Sequence, residues 1–381
     1  MKRLTLKTLV AAAALALLGA SPAMADVNIG VSLSLTGPGS GLGIPMQNQF
    51  KLWPQTIGGE KVNLIILDDA SDPGKGVTNA RRFITEDKVD LIIGSCLTPV
   101  AAAMAPVTAE AKTVQLAASP VGGPNIPEAY LFRLPQGNDV MAYAVVEHMK
   151  KQGIKTVGFL GYVDAYGELW LRALTPLAEK AGIKIVAAER FQRTDTSVTP
   201  QALKLTSANP DAMLIVASGS GAAMPHKAIV ERGFKGKIYQ THAAATMDLM
   251  RIGGKDVEGS FVVSGPAMVG AQLVDSHPSK KLAMDFLAGY EKAYGVGSAN
   301  QFAGHSYDAK IVLERIIPMA LKKGKPGTPE FRAALKEAME TMGRTVFSHG
   351  VMNWTAQDHW GYTNETGVML KVVDGKFVVE K

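Results

Sequence analysis

LIIGSCLTPVAAAMAPVTAEAKTVQLAASP, residues 91–120, reads as strand, loop, helix, strand, loop. Leu91, Ile92 and Ile93 form a short apolar run stopped by Gly94, the pattern of a strand buried on both faces. Thr98 stands where an N-cap belongs, Pro99 takes the first helical position, and an Ala-rich helix follows. A second strand ends at Ala117 and runs into Ala118-Ser119-Pro120. Two loops therefore leave the same edge of one sheet. In an open parallel sheet ligands bind outside the carboxyl ends of the strands, and the free N–H groups of a helix start suit an anion. The stretch predicts a site for a small-molecule carboxylate.

Working outward, strands and helices alternate with a regularity that sets the fold class. VNIGVSL from Val27 is a strand, Gly43 to about Gln55 a helix, VNLIIL a strand, and Gly76 to Asp87 an amphipathic helix. After Tyr130 to Pro135 the pattern restarts, with strands TVGFL, IKIVAAE, AMLIVA and KIYQ separated by helices at 139–152, 165–181, 200–207 and 223–233. The expectation is an α/β chain of two Rossmann-like lobes, each a parallel sheet with right-handed crossovers. Beyond Gly259 come the strand SFVVSGP and three helices in a row, 279–294, 301–321 and 329–342, before the tail returns to strands. Helices without a sheet of their own must cover one already built. The chain is therefore expected to cross between lobes near Leu134 to Asp139, Ser264 to Met268 and His349 to Asn353, a three-segment hinge. The lobes so drawn are 26–136 plus 267–350 and 137–266 plus 351–381.

At the N-terminus, Lys2, Arg3 and Lys7 precede an apolar run from Leu9 to Ala20 and the small-x-small site Ala23-Met24-Ala25. Residues 1–25 read as a secretory signal peptide, and the apolar run is shorter than the ~20 residues a membrane span needs. The remaining 356 residues exceed what one core usually holds. Without the leader the formal charge falls from +6 to +3, and no Lys/Arg run is interleaved with aromatics, so nucleic acid is not an expected partner. Cys96 is the single cysteine, which rules out an internal disulfide and reads as a small apolar filler beside the sheet.

Motifs of cofactor and hydrolase chemistry fail on spacing. The run Gly37 to Gly43 contains no full G-x-G-x-x-G, and Pro38 removes an N–H that a pyrophosphate would use. There is no G-x-x-x-x-G-K-[ST], no G-x-S-x-G around Gly219-Ser220-Gly221, and no HExxH among the scattered histidines. No cofactor and no metal are expected. Asp68 and Asp69 close a strand and lead into a turn, where Asp side chains accept from backbone N–H groups. His242 follows a second-lobe strand on the edge facing the cleft and is placed to donate to a carboxylate or hydroxyl. Tyr166 and Trp170 share a helix face, with Tyr166 at the helix start and able to reach the cleft.

Taken in order, the leader, Ile29-Gly30 to Gly37-Pro38, DDASDP at 68–73, the Gly94 to Pro120 unit and Ala165-Tyr166-Gly167-Glu168 resemble a periplasmic substrate-binding protein of the leucine/isoleucine/valine-binding type. The resemblance covers essentially the whole chain after the leader. It implies two lobes closing on a ligand, a periplasmic location, a monomer, no catalysis, and delivery to a membrane-embedded ABC permease. It further implies that the ligand carboxylate is held at Thr98 and at Ala117, Ala118 and Ser119, and that Tyr166 closes over the ligand. Phe302 would line the side-chain pocket, and Leu42 in the first lobe and Gly219 in the second would contribute. Amino-acid binders of this type place an acidic residue, for the α-ammonium, in the loop that here reads Thr241-His242-Ala243-Ala244. A buried ammonium without a carboxylate is costly, so a hydrophobic or aromatic carboxylate is the leading ligand class and a branched-chain amino acid the second. A sensor lobe serving a signalling partner and an exported enzyme on the same two-lobe plan remain as readings from other classes.

Overall fold

The computed structural model describes residues 26–380; the expected signal peptide, 1–25, lies outside the described residues. The first sheet holds β1 (Val27–Leu33), β2 (Thr56–Ile57), β3 (Glu60–Asp68), β4 (Leu91–Gly94), β5 (Gln115–Ala117) and β6 (Leu131–Arg133) in the order β2-β3-β1-β4-β5-β6. All its pairings are parallel except that of the short β2 with β3. Helices α1 (Ser40–Phe50), α2 (Pro73–Thr85) and α3 (Thr98–Glu110) form the crossovers. Every residue of β4 is buried, as its unbroken apolar run requires.

Several helix starts differ from the sequence expectation; α2 begins at Pro73 rather than Gly76, because Asp72 caps it by accepting from Lys75 N. α1 begins at Ser40 rather than Gly43, because Gly43 lies inside its first turn against the end of β1. A Cβ there would collide with the carbonyl oxygen of Ser34, so glycine is what lets helix and strand approach. α3 begins at Thr98 itself, with Leu97 at the N-cap position and no side-chain cap, so the Thr98 hydroxyl is not spent on capping.

A second sheet has the order β15-β14-β11-β10-β9-β7-β8. It is built from β7 (Thr156–Tyr162), β8 (Lys184–Phe191), β9 (Ala212–Val216), β10 (Lys237–Gln240) and β11 (Phe261–Ser264), all parallel. An antiparallel pair from the chain's end completes it, β14 (Val368–Val373) and β15 (Lys376–Val379), after the small hairpin β12 (Thr345–Phe347) and β13 (Gly350–Met352). Helices α4 (Asn138–Lys151), α5 (Ala165–Lys180), α6 (Thr199–Ser207), α7 (Ala223–Glu231) and α8 (Met247–Gly253) accompany this sheet. The three consecutive helices α9 (Lys280–Tyr294), α10 (Gln301–Ala320) and α11 (Pro329–Thr341) return to the first lobe. Tyr290 and Tyr294 donate to the Pro45 and Asn48 carbonyls of α1, and the Trp53 indole donates to Ser306 O of α10 at 3.1 Å.

The segments between the lobes meet at one place. Gln136 Nε2 donates to His349 O at 2.8 Å, and Gly265 lies so close to both residues that a Cβ would press on the Gln136 amide and the His349 ring. Past this point Trp354 and His359 pack on Phe132, with ring centroids 5.3 and 3.9 Å away, and Arg133 N donates to His359 O. We propose lobe limits that keep the hinge at Gln136, Gly265 and His349 but leave 351–362 against the first lobe, with entry to the second sheet at β14.

At the carboxyl edge of the first sheet Asp69 is fully buried. Its Oδ1 accepts from Ser34 Oγ at 2.6 Å and Ser71 N at 3.0 Å, and its Oδ2 from Ser95 Oγ at 2.6 Å and Ser32 Oγ at 3.3 Å. Burial pushes its carboxyl above the usual range, and these hydrogen bonds pull it back. Asp68 accepts from the N–H groups of Leu35, Thr36 and Ala70, the turn role read from the sequence. Asp69→Ala strands three hydroxyls and an amide, and is expected to cost about 3 kcal/mol in a denaturant titration, against about 1 kcal/mol for the more exposed Asp68→Ala. Equal losses in the two variants would remove Asp69 from its central position.

Candidate functional site

Between the lobes lies a small cavity lined by residues of both. Its first-lobe wall is made by the two loops of residues 91–120. The first-turn N–H groups of α3 have no acceptor within the helix, and Thr98 lines the cavity beside them. Ala118 and Ser119 line it from the loop after β5, and Ser119 Oγ donates to Ser95 O at 3.0 Å, which ties one loop to the other. Cys96 is also at the wall, but burial, with Asp69 nearby, pushes its thiol up to about 12. The thiol therefore stays protonated at neutral pH and is no nucleophile.

One side of the cavity belongs to α10, whose Gln301, Phe302 and His305 face it. His305 stacks on His349 of the hinge at 4.1 Å, and His349 Nδ1 is held by the buried Asp308 at 2.7 Å.

The second-lobe wall is organised by Asp164. It caps α5, accepting from Tyr166 N at 2.9 Å, and its other oxygen holds Arg193 Nε at 2.6 Å. Arg193 Nη1 reaches Ser218 Oγ at 2.9 Å, and the guanidinium lies 4.0 Å over the Tyr162 ring. Tyr166 lines the cavity with its ring while its hydroxyl donates to Thr241 Oγ1 at 2.8 Å. His242 is buried between the rings of Tyr166 and Trp170, at 6.1 and 5.8 Å, and neither of its ring nitrogens has a partner in the chain. Burial, reinforced by His349, lowers its pKa to about 3, so the imidazole is neutral and offers one donor and one acceptor. His305 is likewise held well below its ordinary value, by burial first and then by His349 and His242. Buried polar atoms are nearly always paired in folded proteins. The orphan nitrogens of His242, His305 and Gln301 on one cavity fit it to a ligand with polar groups.

Seven of the nine residues singled out from the sequence line this cavity: Leu42, Thr98, Ala118, Ser119, Tyr166, His242 and Phe302. Two do not. Ala117 is the last residue of β5 and packs into a small cluster with Ala101, Ala105, Val121 and Leu131, since successive strand residues point to opposite faces. Gly219 lies at the lip of the cleft, where a Cβ would stand 3.0 Å from Leu42 Cδ1 of the opposite lobe. The lips therefore touch, and the lobes are closed. Sequence reasoning missed Arg193, Ser218, Gln301 and His305. His305 follows Phe302 by three residues, which places both on one helix face. Arg193 follows β8 on the same sheet edge as Tyr166 and His242. Among the described residues no group of three His, Cys, Asp or Glu is arranged to hold a metal, and no helix is long and apolar enough to cross a membrane.

A family model described as periplasmic binding protein matches residues 26–375. A Leu/Ile/Val-binding protein homologue of Brucella melitensis is 26% identical over 290 residues, 74% of this chain and 73% of its own. The structure of an extracellular ligand-binding receptor from Rhodopseudomonas palustris superposes with a TM-score of 0.92 at 46% identity, covering 94% of this chain and 100% of that one. A more distant R. palustris neighbour, an ABC-transporter solute-binding protein in complex with benzoate, shares the fold, with a TM-score of 0.77 at 19% identity over 93% of this chain and 95% of its own. Two parallel-sheet lobes, a three-segment hinge, a closed cavity between them and a family match over nearly every described residue lead to one assignment: the chain belongs to the periplasmic binding protein family.

Proposed function

We propose that this protein is the solute receptor of an ABC uptake system that captures a small hydrophobic or aromatic carboxylate in its interlobe cavity. The observation that carries this reading is the composition of the cavity wall, which among the described residues presents hydrogen-bond donors and apolar surface but no Asp or Glu. A monocarboxylate finds donors there. An α-ammonium finds no counter-charge, and an unpaired buried ion costs several kcal/mol. The first lobe supplies Thr98, Ala118 and Ser119 for the carboxylate, with Ala117 fixing the strand end beneath them. Leu42, Tyr166 and Phe302 enclose the apolar body, and His242 contributes one neutral donor. Benzoate, held by the R. palustris neighbour of the same fold, is a member of the proposed class. The protein acts as a periplasmic monomer without a cofactor and without catalysis, handing its ligand to a membrane permease. Binding shifts the balance of open and closed forms.

In a thermal-shift screen, an aromatic acid at ~100 times its dissociation constant is expected to add about 2.7 kcal/mol of stability. Leucine and valine are expected to add nothing measurable. Stabilisation by leucine, with benzoate-type acids inert, would reverse the ligand class.

The histidines give a pH dependence with a definite sign. In the closed form His242 is neutral, with its pKa lowered to about 3 by burial. In an open, hydrated cleft it returns toward its ordinary value of about 6.5. The closed form thus binds fewer protons, and its full advantage exists above pH ~6.5 and is lost progressively below it. Affinity measured calorimetrically is expected to fall about thirtyfold between pH 7.5 and 5 for each such histidine, with a shallower profile in His242→Gln. A flat wild-type profile would show that His242 remains buried in both forms.

A further inference from the structure

Among the described residues the one cationic side chain on the cavity wall is Arg193, and it stands on the second lobe, with Thr98 and Ser119 on the first. Its side chain is 13% exposed. The guanidinium is fixed on three sides, by Asp164 through Nε, by Ser218 through Nη1 and by the Tyr162 ring beneath its plane. Nη2 has no acceptor in the chain among the described residues, so a planar donor on a cavity-lining side chain is left unused at little further cost in side-chain entropy. Asp164, in turn, is fixed by capping α5.

We infer that Arg193 is a specificity-determining residue that selects ligands carrying, at the end away from the carboxylate, a second and uncharged oxygen acceptor such as a hydroxyl or a carbonyl. Charge decides between an uncharged oxygen and a second carboxylate. Arg193 and Asp164 together are neutral, and no other Lys or Arg lines the cavity. A second carboxylate at Arg193 would therefore bring a negative charge beside Asp164 with no cation left to match it. A neutral oxygen accepts from Nη2 and disturbs no charge. Discrimination of this kind is steep, because a ligand lacking the acceptor shields the donor from water without pairing it.

The inference rests on the reading of the cavity as a carboxylate site, and one experiment separates the two. Dissociation constants are measured for benzoate, 3- and 4-hydroxybenzoate and the matched 3- and 4-methylbenzoates, on the wild type, Arg193→Met and Arg193→Lys. At least one hydroxybenzoate is expected to bind the wild type tenfold or more tightly than its methyl isostere. Arg193→Met is expected to weaken that hydroxybenzoate at least tenfold more than benzoate. Arg193→Lys retains a cation for Asp164 and guards against misfolding of the Met variant; it is expected to lose most of the hydroxyl preference, since the fork is gone. Equal affinities for hydroxyl and methyl acids in the wild type would overturn the inference and leave the carboxylate reading intact. Equal weakening of benzoate and hydroxybenzoate by Arg193→Met would also overturn it, placing the acid head itself at Arg193. Failure of every acid to bind the wild type would sink the carboxylate reading, and this inference with it.

Discussion

One buried carboxylate fixes the first-lobe half of the cavity. Asp69 takes hydrogen bonds from Ser32 and Ser34 at the end of β1, from Ser71 in its own turn and from Ser95 after β4. Ser95 then passes the constraint on, since its carbonyl accepts from Ser119. The loops after β4 and β5 are thus held in register by a chain of contacts rooted in a single side chain that does not itself line the cavity. A cradle of backbone N–H groups needs such fixed positions, because donors that must reorganise on binding lose most of their advantage. The second lobe repeats the device with Asp164, which caps a helix and holds Arg193.

The two walls differ in kind. Thr98, at the start of α3, and Ala118 and Ser119, on the loop after β5, are small residues that leave backbone groups within reach. Tyr166, Arg193 and His242 are large side chains that follow three separate strands of the second sheet, Tyr166 in the first turn of α5. Under the proposed reading, small residues at a helix start and a loop suit a group common to many ligands, and a wall of large side chains can be altered one residue at a time.

Much of this was legible in the sequence. The unbroken apolar run of β4 and the alternation of strands and helices gave the two-lobe plan, and three helices without strands gave the return to the first lobe. The turn chemistry of Asp68 and Asp69 was readable as structural, because Asp at a strand end has backbone N–H groups within reach. What escaped was long-range. That Gly43 belongs inside α1 depends on Ser34 across a close approach, which local propensity does not record. Arg193 is an unremarkable loop residue in sequence and acquires its role only from Asp164, Ser218 and Tyr162, which the fold gathers from three other positions. Ala117 and Ala118 are one residue apart and face opposite ways, and only the register of β5 with β6 decides which meets the cavity. The path of 351–362 back onto Phe132 rests on aromatic packing with no periodic pattern behind it.

The meeting of Leu42 with Gly219 across the mouth of the cleft has a kinetic side. With the lips in contact, the way out past them opens only when the lobes part, so escape depends on the protein as well as on the ligand. The opening rate of the hinge then sets a ceiling on dissociation that is shared by every ligand able to hold the lobes shut. Ligands differ in how seldom they allow the lobes to part and in how often they leave before the lobes close again. A bulkier residue in place of Gly219 would press on Leu42 and hold the mouth ajar, shortening the time every ligand stays.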